Sequence, residues 1–488
     1  MIAQGLGFTR DFLKERNYRA YCRLKKIPCG FKEQARARHP GEKCGLGSCW
    51  KFNQLETARY LKPLRWLFLL SVVLAIGGAF IKSAEANESL FGLPVSEIDV
   101  LGNKKTQSRF VILWSKIEIN QPLNQAMLDQ ARQEILNKEL FKEVTVKAVA
   151  SGDKVKVVIS LKEKRYTLLL PRFRRNSDGD IKYGLRLTMD NLNGGDQTLR
   201  ALVERGEAST GEESSRYRIE YRIPQYGRPY EYYMAFGQEI ANTEDAATGF
   251  TNEVYNDFIS FSVSRNWYVF NLRQPLKLFT GFTYQRIKLR EPYPKLLDET
   301  EPGKYNRINL NLEYDDINYE TYRRTGRRYF FTYQQGLEVL NSDYDTSLFE
   351  MDARFYHPIN ELDNFNYRLF VGLSNHTAFN DENYNIGSAR TLRGISRDSF
   401  SGDALLFGNF EYIKGFRKYR KFRTSAFIDI GNVYEDIKSI DITDLRVGVG
   451  LGLRWKAVSF VRTDLVVDVG YDIDTGNIKF YAGTRLNF

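Results

Sequence analysis

The chain has 488 residues, a mean hydropathy of −0.44, 14% aromatic residues and a formal charge of +11. That hydropathy excludes a helical membrane bundle, which needs several apolar runs of about 20 residues, and 30 Tyr with 33 Phe exclude a disordered chain. The charge does not mark a nucleic-acid binder, because residues 1–66 hold 15 Lys/Arg against 5 Asp/Glu and residues 87–488 carry only +1. An all-β protein is the class that fits.

A basic leader, residues 1–61, holds all four cysteines, Cys22, Cys29, Cys44 and Cys49. Their C-x6-C and C-x4-C spacings are not the tight pairs of a zinc ribbon, so no metal site is assigned. The body has no cysteine, which is compatible with an oxidising compartment. Residues 62–86 read as a secretory signal peptide. Lys62 and Arg65 precede the apolar run from Trp66 to Ile81, and Ala84 and Ala86 supply the small residues at −3 and −1 of a cleavage site. An uncleaved inner-membrane anchor is the alternative. Because signal peptides begin near a chain start, translation is expected to begin near Leu55 or Leu61, a cytoplasmic extension being the other reading.

Residues 95–165 change character. Val95–Val100 alternates as a strand and Leu101-Gly102-Asn103 follows as a turn. Thr106–Trp114 reads as a short helix. Asn124 caps a second one, with Ala131, Ile135 and Leu136 at helical spacing. Phe141–Val149 and Lys154–Leu161 then alternate around a Ser151-Gly152-Asp153 turn. This β-α-α-β-β order, with Ile98-Asp99-Val100-Leu101-Gly102-Asn103 and Leu140-Phe141-Lys142-Glu143-Val144-Thr145-Val146, resembles a POTRA domain, a periplasmic module that precedes certain outer-membrane barrels. Such a module presents a sheet edge on which an extended client segment adds as a strand. A plain spacer is the alternative.

Residues 166–488 repeat alternating stretches of about ten residues, enough to cross a bilayer at a tilt. In one, Tyr217, Ile219, Tyr221 and Ile223 interleave with Arg218, Glu220 and Arg222; in another, Val461, Thr463, Leu465, Val467, Val469 and Tyr471 interleave with Arg462, Asp464, Asp468 and Asp472. A period of two puts each set on opposite faces of its strand. That pattern fits a soluble sandwich or a membrane barrel. The recurrent charges on the polar face, the strand length and the signal peptide favour an all-β transmembrane barrel of about 16 antiparallel strands preceded by one small α/β domain. An even count returns both ends to the same side. The last strand, Lys479–Phe488, places Phe480, Leu486 and Phe488 on one face, like the terminal signal by which barrels are recognised for insertion.

The segment TLRGISRDSFSGDALLFGNFEYI at 391–413, then Ala426-Phe427-Ile428-Asp429-Ile430-Gly431-Asn432-Val433 and Val447-Gly448-Val449-Gly450-Leu451-Gly452-Leu453-Arg454, resemble in order and spacing the barrel motifs of the bacterial surface antigen family. This is the superfamily of BamA-like and TamA-like assembly factors and two-partner-secretion transporters. The resemblance implies that the connection between barrel strands 11 and 12 folds back into the lumen, with Leu392-Arg393-Gly394-Ile395 at its tip. It also implies that Arg393 meets an acidic residue on the inner wall. Asp429 is the matching position and Glu411 a second candidate. An Arg fork suits a carboxylate in a partly dehydrated lumen, and an ordinary luminal charge network is the bland alternative. Ile395 stands where relatives often carry an aromatic.

Nothing points to an enzyme. The body has only His357 and His376, no G-x-S-x-G elbow, and its alternating glycines lie on a strand rather than in a nucleotide loop. No catalytic residue and no cofactor is assigned. The resemblance implies an outer-membrane assembly or translocation factor that inserts or exports client polypeptides without nucleotide, its module in the periplasm. Its expected partners are outer-membrane lipid, client polypeptides, and the barrel assembly machinery for its own insertion. A dedicated transporter or plugged pore for one secreted partner, and a structural barrel anchoring a periplasmic binding module, stay open.

Overall fold

A computed structural model describes residues 90–175, 181–207, 213–225, 229–244, 251–289, 302–375, 384–395, 401–461 and 464–484. The leader 1–61, the signal segment 62–86, His376, Leu486 and Phe488 lie outside the described residues.

The N-terminal module runs β1 (Val95–Leu101), α1 (Ser108–Ser115), α2 (Gln125–Leu136), β2 (Phe141–Ser151) and β3 (Lys154–Glu163). β3 is central, parallel to β1 and antiparallel to β2. Asn124 caps α2 by accepting from the Met127 amide at 2.9 Å. One face of each helix packs on the sheet through Val111, Trp114, Ala131, Ile135, Val157 and Ile159. Helix α1 starts two residues later than its pattern suggests. The Thr106 amide donates to the Glu163 carboxylate at 2.8 Å, and its hydroxyl is shared with Tyr166 and Asn191, so this stretch is held out of the helix.

The barrel strands follow: β4 (Thr167–Arg175), β5 (Ile181–Leu192), β6 (Gln197–Glu207), β7 (Glu213–Ile223), β8 (Tyr230–Glu244), β9 (Thr251–Trp267) and β10 (Leu276–Leu289). After a two-residue β11 (Gly303–Lys304) come β12 (Arg307–Tyr319), β13 (Arg324–Gly336), β14 (Thr346–Pro358) and β15 (Asn364–Asn375). The next connection carries a small pair, β16 (Tyr384–Asn385) and β17 (Ser401–Gly402). The last five are β18 (Ala404–Gly415), β19 (Phe422–Tyr434), β20 (Arg446–Lys456), β21 (Asp464–Asp472) and β22 (Ile478–Thr484). Among the described residues sixteen long strands pair in chain order, and β22 lies beside β4 to close the barrel.

The exposure pattern separates a membrane barrel from a sandwich. Leu169, Phe236, Ile259, Leu369, Leu451 and Val467 are exposed on the outer face. On the alternate positions Glu204, Arg368, Asn409, Asp429 and Asp468 are buried within. A soluble sandwich buries its apolar face; here that face looks out and the charged face looks in, as lipid outside and a polar lumen require. Closure satisfies the strand edges that hydrocarbon cannot.

The module rests on one end of the barrel. Tyr319, at the end of β12, donates its amide to the Asn137 side chain at 2.9 Å, and the Gln107 amide donates to the Gly194 carbonyl at 3.1 Å. The Arg165 amide donates to the Ser459 carbonyl at 2.7 Å. Val461 does not begin β21, as its alternation suggests. It turns into the module's apolar core beside Tyr166, so the strand starts at Asp464.

Candidate functional site

The connection between β15 and β18, the eleventh and twelfth long strands, carries the Leu392–Ile395 tip into the lumen. Two apolar residues anchor it. Leu392 and Ile395 are fully buried against Leu405 and Phe407 of β18 and Val433 of β19. Ile395 thus fills its pocket without an aromatic ring. Arg393, between these anchors, is 0% exposed.

Its guanidinium makes a two-pronged contact with Asp429, Nε to Oδ2 at 2.7 Å and Nη2 to Oδ1 at 2.8 Å, and its backbone amide donates to the same carboxylate at 3.0 Å. Nη1 donates to Asp468 at 2.9 Å and reaches Glu411 at 3.4 Å. The Phe427 ring lies under the cation, 3.4 Å from carbon Cζ to ring centroid. A second cation completes the cluster. Arg454 donates to Glu411 at 2.6 Å and 3.0 Å and also bonds Asp468. Two guanidinium groups therefore face three carboxylates, all buried. Such a network holds only while complete; removing one partner of a buried ion pair costs about 3–5 kcal/mol.

The strands explain this arrangement. Phe427 and Asp429 are two apart on β19, so both point inward, and Glu411 and Asn409 stand opposite them on β18. Asn409 fixes the loop backbone, donating to the Thr391 carbonyl at 2.7 Å. The bed beneath the tip is made of glycines. A Cβ on Gly448 would sit 2.0 Å from the Arg393 carbonyl oxygen, and one on Gly470 2.5 Å from the Gly394 nitrogen. Gly394 has φ +99°, and a side chain there would collide with the Tyr471 backbone. The Gly394 amide donates to the Tyr481 hydroxyl on β22 at 3.0 Å.

Arg393, Asp429 and Glu411, each singled out in the sequence, thus meet in one cluster, flanked by Leu392, Gly394 and Ile395. Phe480 lies away from it, 76% exposed on the outer face of β22. Sequence reasoning missed Asp468, Arg454, Phe427 and Tyr481. Each sits on the inward parity of a recognised strand, and that parity was the available signal. Which inward residues converge depends on how the barrel closes.

The sequence profile described as the Omp85 superfamily domain matches residues 191–485, and the POTRA profile, described as surface antigen variable number repeat, matches residues 93–164. No curated protein sequence matches the chain. Among solved structures, CdiB from Acinetobacter baumannii is similar at TM-score 0.56 and 12% identity, with 99% of each chain covered. CdiB from Escherichia coli is similar at TM-score 0.54 and 13% identity, covering 98% of this chain and 95% of that one. BamA from Haemophilus ducreyi lacking POTRA domains 1-3 is similar at TM-score 0.48 and 16% identity, covering 80% of this chain and 84% of that one. At these identities the likeness to the two CdiB structures speaks to fold alone. The profile match spans more than half of the sequence, and the chain belongs to the Omp85 superfamily, as an outer-membrane β-barrel with one POTRA domain.

Proposed function

We propose that the protein inserts or translocates client polypeptides at the bacterial outer membrane, without nucleotide, with its POTRA domain in the periplasm. The observation that carries this reading is the loop tip at Arg393. It is bonded at once to β19, to β21 and, through Tyr481, to the closing strand β22. A wall strand tied to a luminal loop gives the barrel a seam, between β22 and β4, whose state the loop controls. A client hairpin templates on the strand edge that this seam exposes. The free edge of β2 in the POTRA sheet receives extended client segments beforehand. The reading assigns no bond-making step to any residue. The chain's own entry into the membrane relies on the barrel assembly machinery, with Phe480, Leu486 and Phe488 as the terminal signal. Residues 62–86 direct export and are removed.

The second reading, a dedicated transporter for one secreted partner, is favoured by the loop tip docked inside the lumen, where Arg393 is buried against the wall carboxylates. Depletion of the protein followed by outer-membrane and secreted proteomics separates the two. Loss of many barrel proteins supports insertion and loss of a single exported protein supports the transporter. No change in either fraction leaves only the anchoring role and defeats the proposal.

A further inference from the structure

Below the Arg393 cluster, at the POTRA end of the lumen, lies a cavity of about 50 Å³ that borders the cluster through Glu411 and Arg454. It is walled by Arg324 of β13, Asn364 of β15, Arg423 of β19, Arg454 and Lys456 of β20 and Asp464 of β21. All its lining residues together hold five basic side chains and three acidic ones. The acids are already engaged. Glu320 pairs with Arg323 at 2.8 Å, Glu411 with Arg454 at 2.6 Å, and Asp464 is shared by Lys456 at 3.1 Å and Arg324 at 3.4 Å.

Arg423 is left over. It is 9% exposed and, among the described residues, makes no ion pair, Asp464 and Glu411 acting on it only from a distance. Nη1 donates to the Tyr322 carbonyl at 2.7 Å, while its buried Nε has no partner. Asn364 stands on the same wall with its amide nitrogen already donated to Asn366 at 2.6 Å. A guanidinium out of bulk water with one carbonyl for company is an expensive arrangement, because a buried cation is tolerated when an anion and further acceptors meet it. Its planar fork is built to hold an oxyanion by two donors at once.

We propose that this cavity is a binding site for a small free oxyanion such as phosphate, held by Arg423 with Arg324 and Lys456 beside it. The bound anion supplies a negative charge beside Arg423 and the acceptor for Nε. The narrow enclosed part of the cavity favours a compact ion over a phosphate carried on a glycerol headgroup. The site shares Glu411 and Arg454 with the Arg393 cluster, so its occupancy stiffens the wall on which the loop tip rests. Its existence is independent of what the barrel transports.

The test is isothermal titration of the full-length detergent-solubilised barrel with inorganic phosphate, at constant ionic strength in chloride. Wild type should bind one phosphate saturably and unfold at a higher temperature with phosphate present. Arg423→Gln should weaken binding at least tenfold, Arg423→Lys should weaken it less, and Lys418→Gln, an exposed turn residue at the same barrel end, should leave it unchanged. Heat-modifiable migration on gels checks that each variant is folded. Absence of saturable binding to wild type overturns the proposal without recourse to any variant. So does undiminished binding to folded Arg423→Gln. Tighter binding of glycerol phosphate than of inorganic phosphate overturns the assignment to a free ion.

Discussion

The amide of Gly394 donates a hydrogen bond to the hydroxyl of Tyr481, joining the luminal loop to the strand that closes the barrel. The two residues are 87 apart in the chain. Tyr481→Phe keeps the ring and removes the acceptor, leaving a buried amide unpaired at a cost of about 1–3 kcal/mol. The variant should assemble normally but lose its heat-resistant form at a lower temperature on gels. An unchanged midpoint would show that the bond does not hold the seam.

Arg393→Ala should reduce function while barrel assembly persists. It strips Asp429 and Asp468 of their shared cation, and the loop tip undocks at a cost of about 3–5 kcal/mol. Arg393→Lys should behave nearly as badly, because a single ammonium cannot reproduce the fork on Asp429 while also reaching Asp468. Complementation of a depleted strain reads function and heat-modifiable migration reads assembly. Failure of both variants to form the heat-modifiable species would make Arg393 a structural strut instead.

Gly448→Ala tests the bed under the loop. The added methyl lies 2.0 Å from the Arg393 carbonyl oxygen, so strand and loop cannot both keep their places. The barrel is the stiffer of the two, and the loop should lift out. Limited proteolysis from outside the barrel should then cleave between residues 388 and 395, where Leu392, Arg393 and Ile395 are buried in wild type. Continued protection would mean that β20 gives way first.

Acid should loosen the junction between POTRA domain and barrel. Burial pushes the Glu163 carboxyl up, but hydrogen bonds from Thr106 and the amides of Lys105 and Lys104 outweigh it and hold the group below its usual range. A depressed native pKa contributes stability that is present above the unfolded value of about 4.3 and is lost as pH falls through the native value. Glu163→Gln should therefore cost about 1–2 kcal/mol at neutral pH, allowing for partial exposure. The gap to wild type should close as pH falls below about 4. Calorimetric unfolding at several pH values would show it, and a gap that stays constant would remove Glu163 from this role.

The parts of the structure legible in the sequence are those with a local cause. Period-two alternation needs only neighbours, so the strands around Tyr217–Ile223 and Leu445–Leu453 were visible, and with them the place of the loop between strands 11 and 12. The choice between sandwich and barrel was not local. It turned on whether Leu451 and Val467 face another sheet or open surface, and the closed sheet leaves them exposed. Asp429 was found through the family resemblance and the parity of Ile428 and Ile430. Asp468 escaped because its meeting with Arg393 spans 75 residues and depends on the closed sheet. Thr106 and Val461 misled for a shared reason: both were read by local pattern while a distant partner claimed them.

Val461 belongs in sequence to the barrel and in space to the interior of the POTRA domain, where it packs with Tyr166. The boundary at residue 165 is thus a border in the chain but not in the hydrophobic core. A chimera that trades this domain for a relative's by splicing at 165 would leave a hole in the graft and a stranded valine on the barrel rim. Transplantation should succeed only when the turn between β20 and β21 travels with the donor domain.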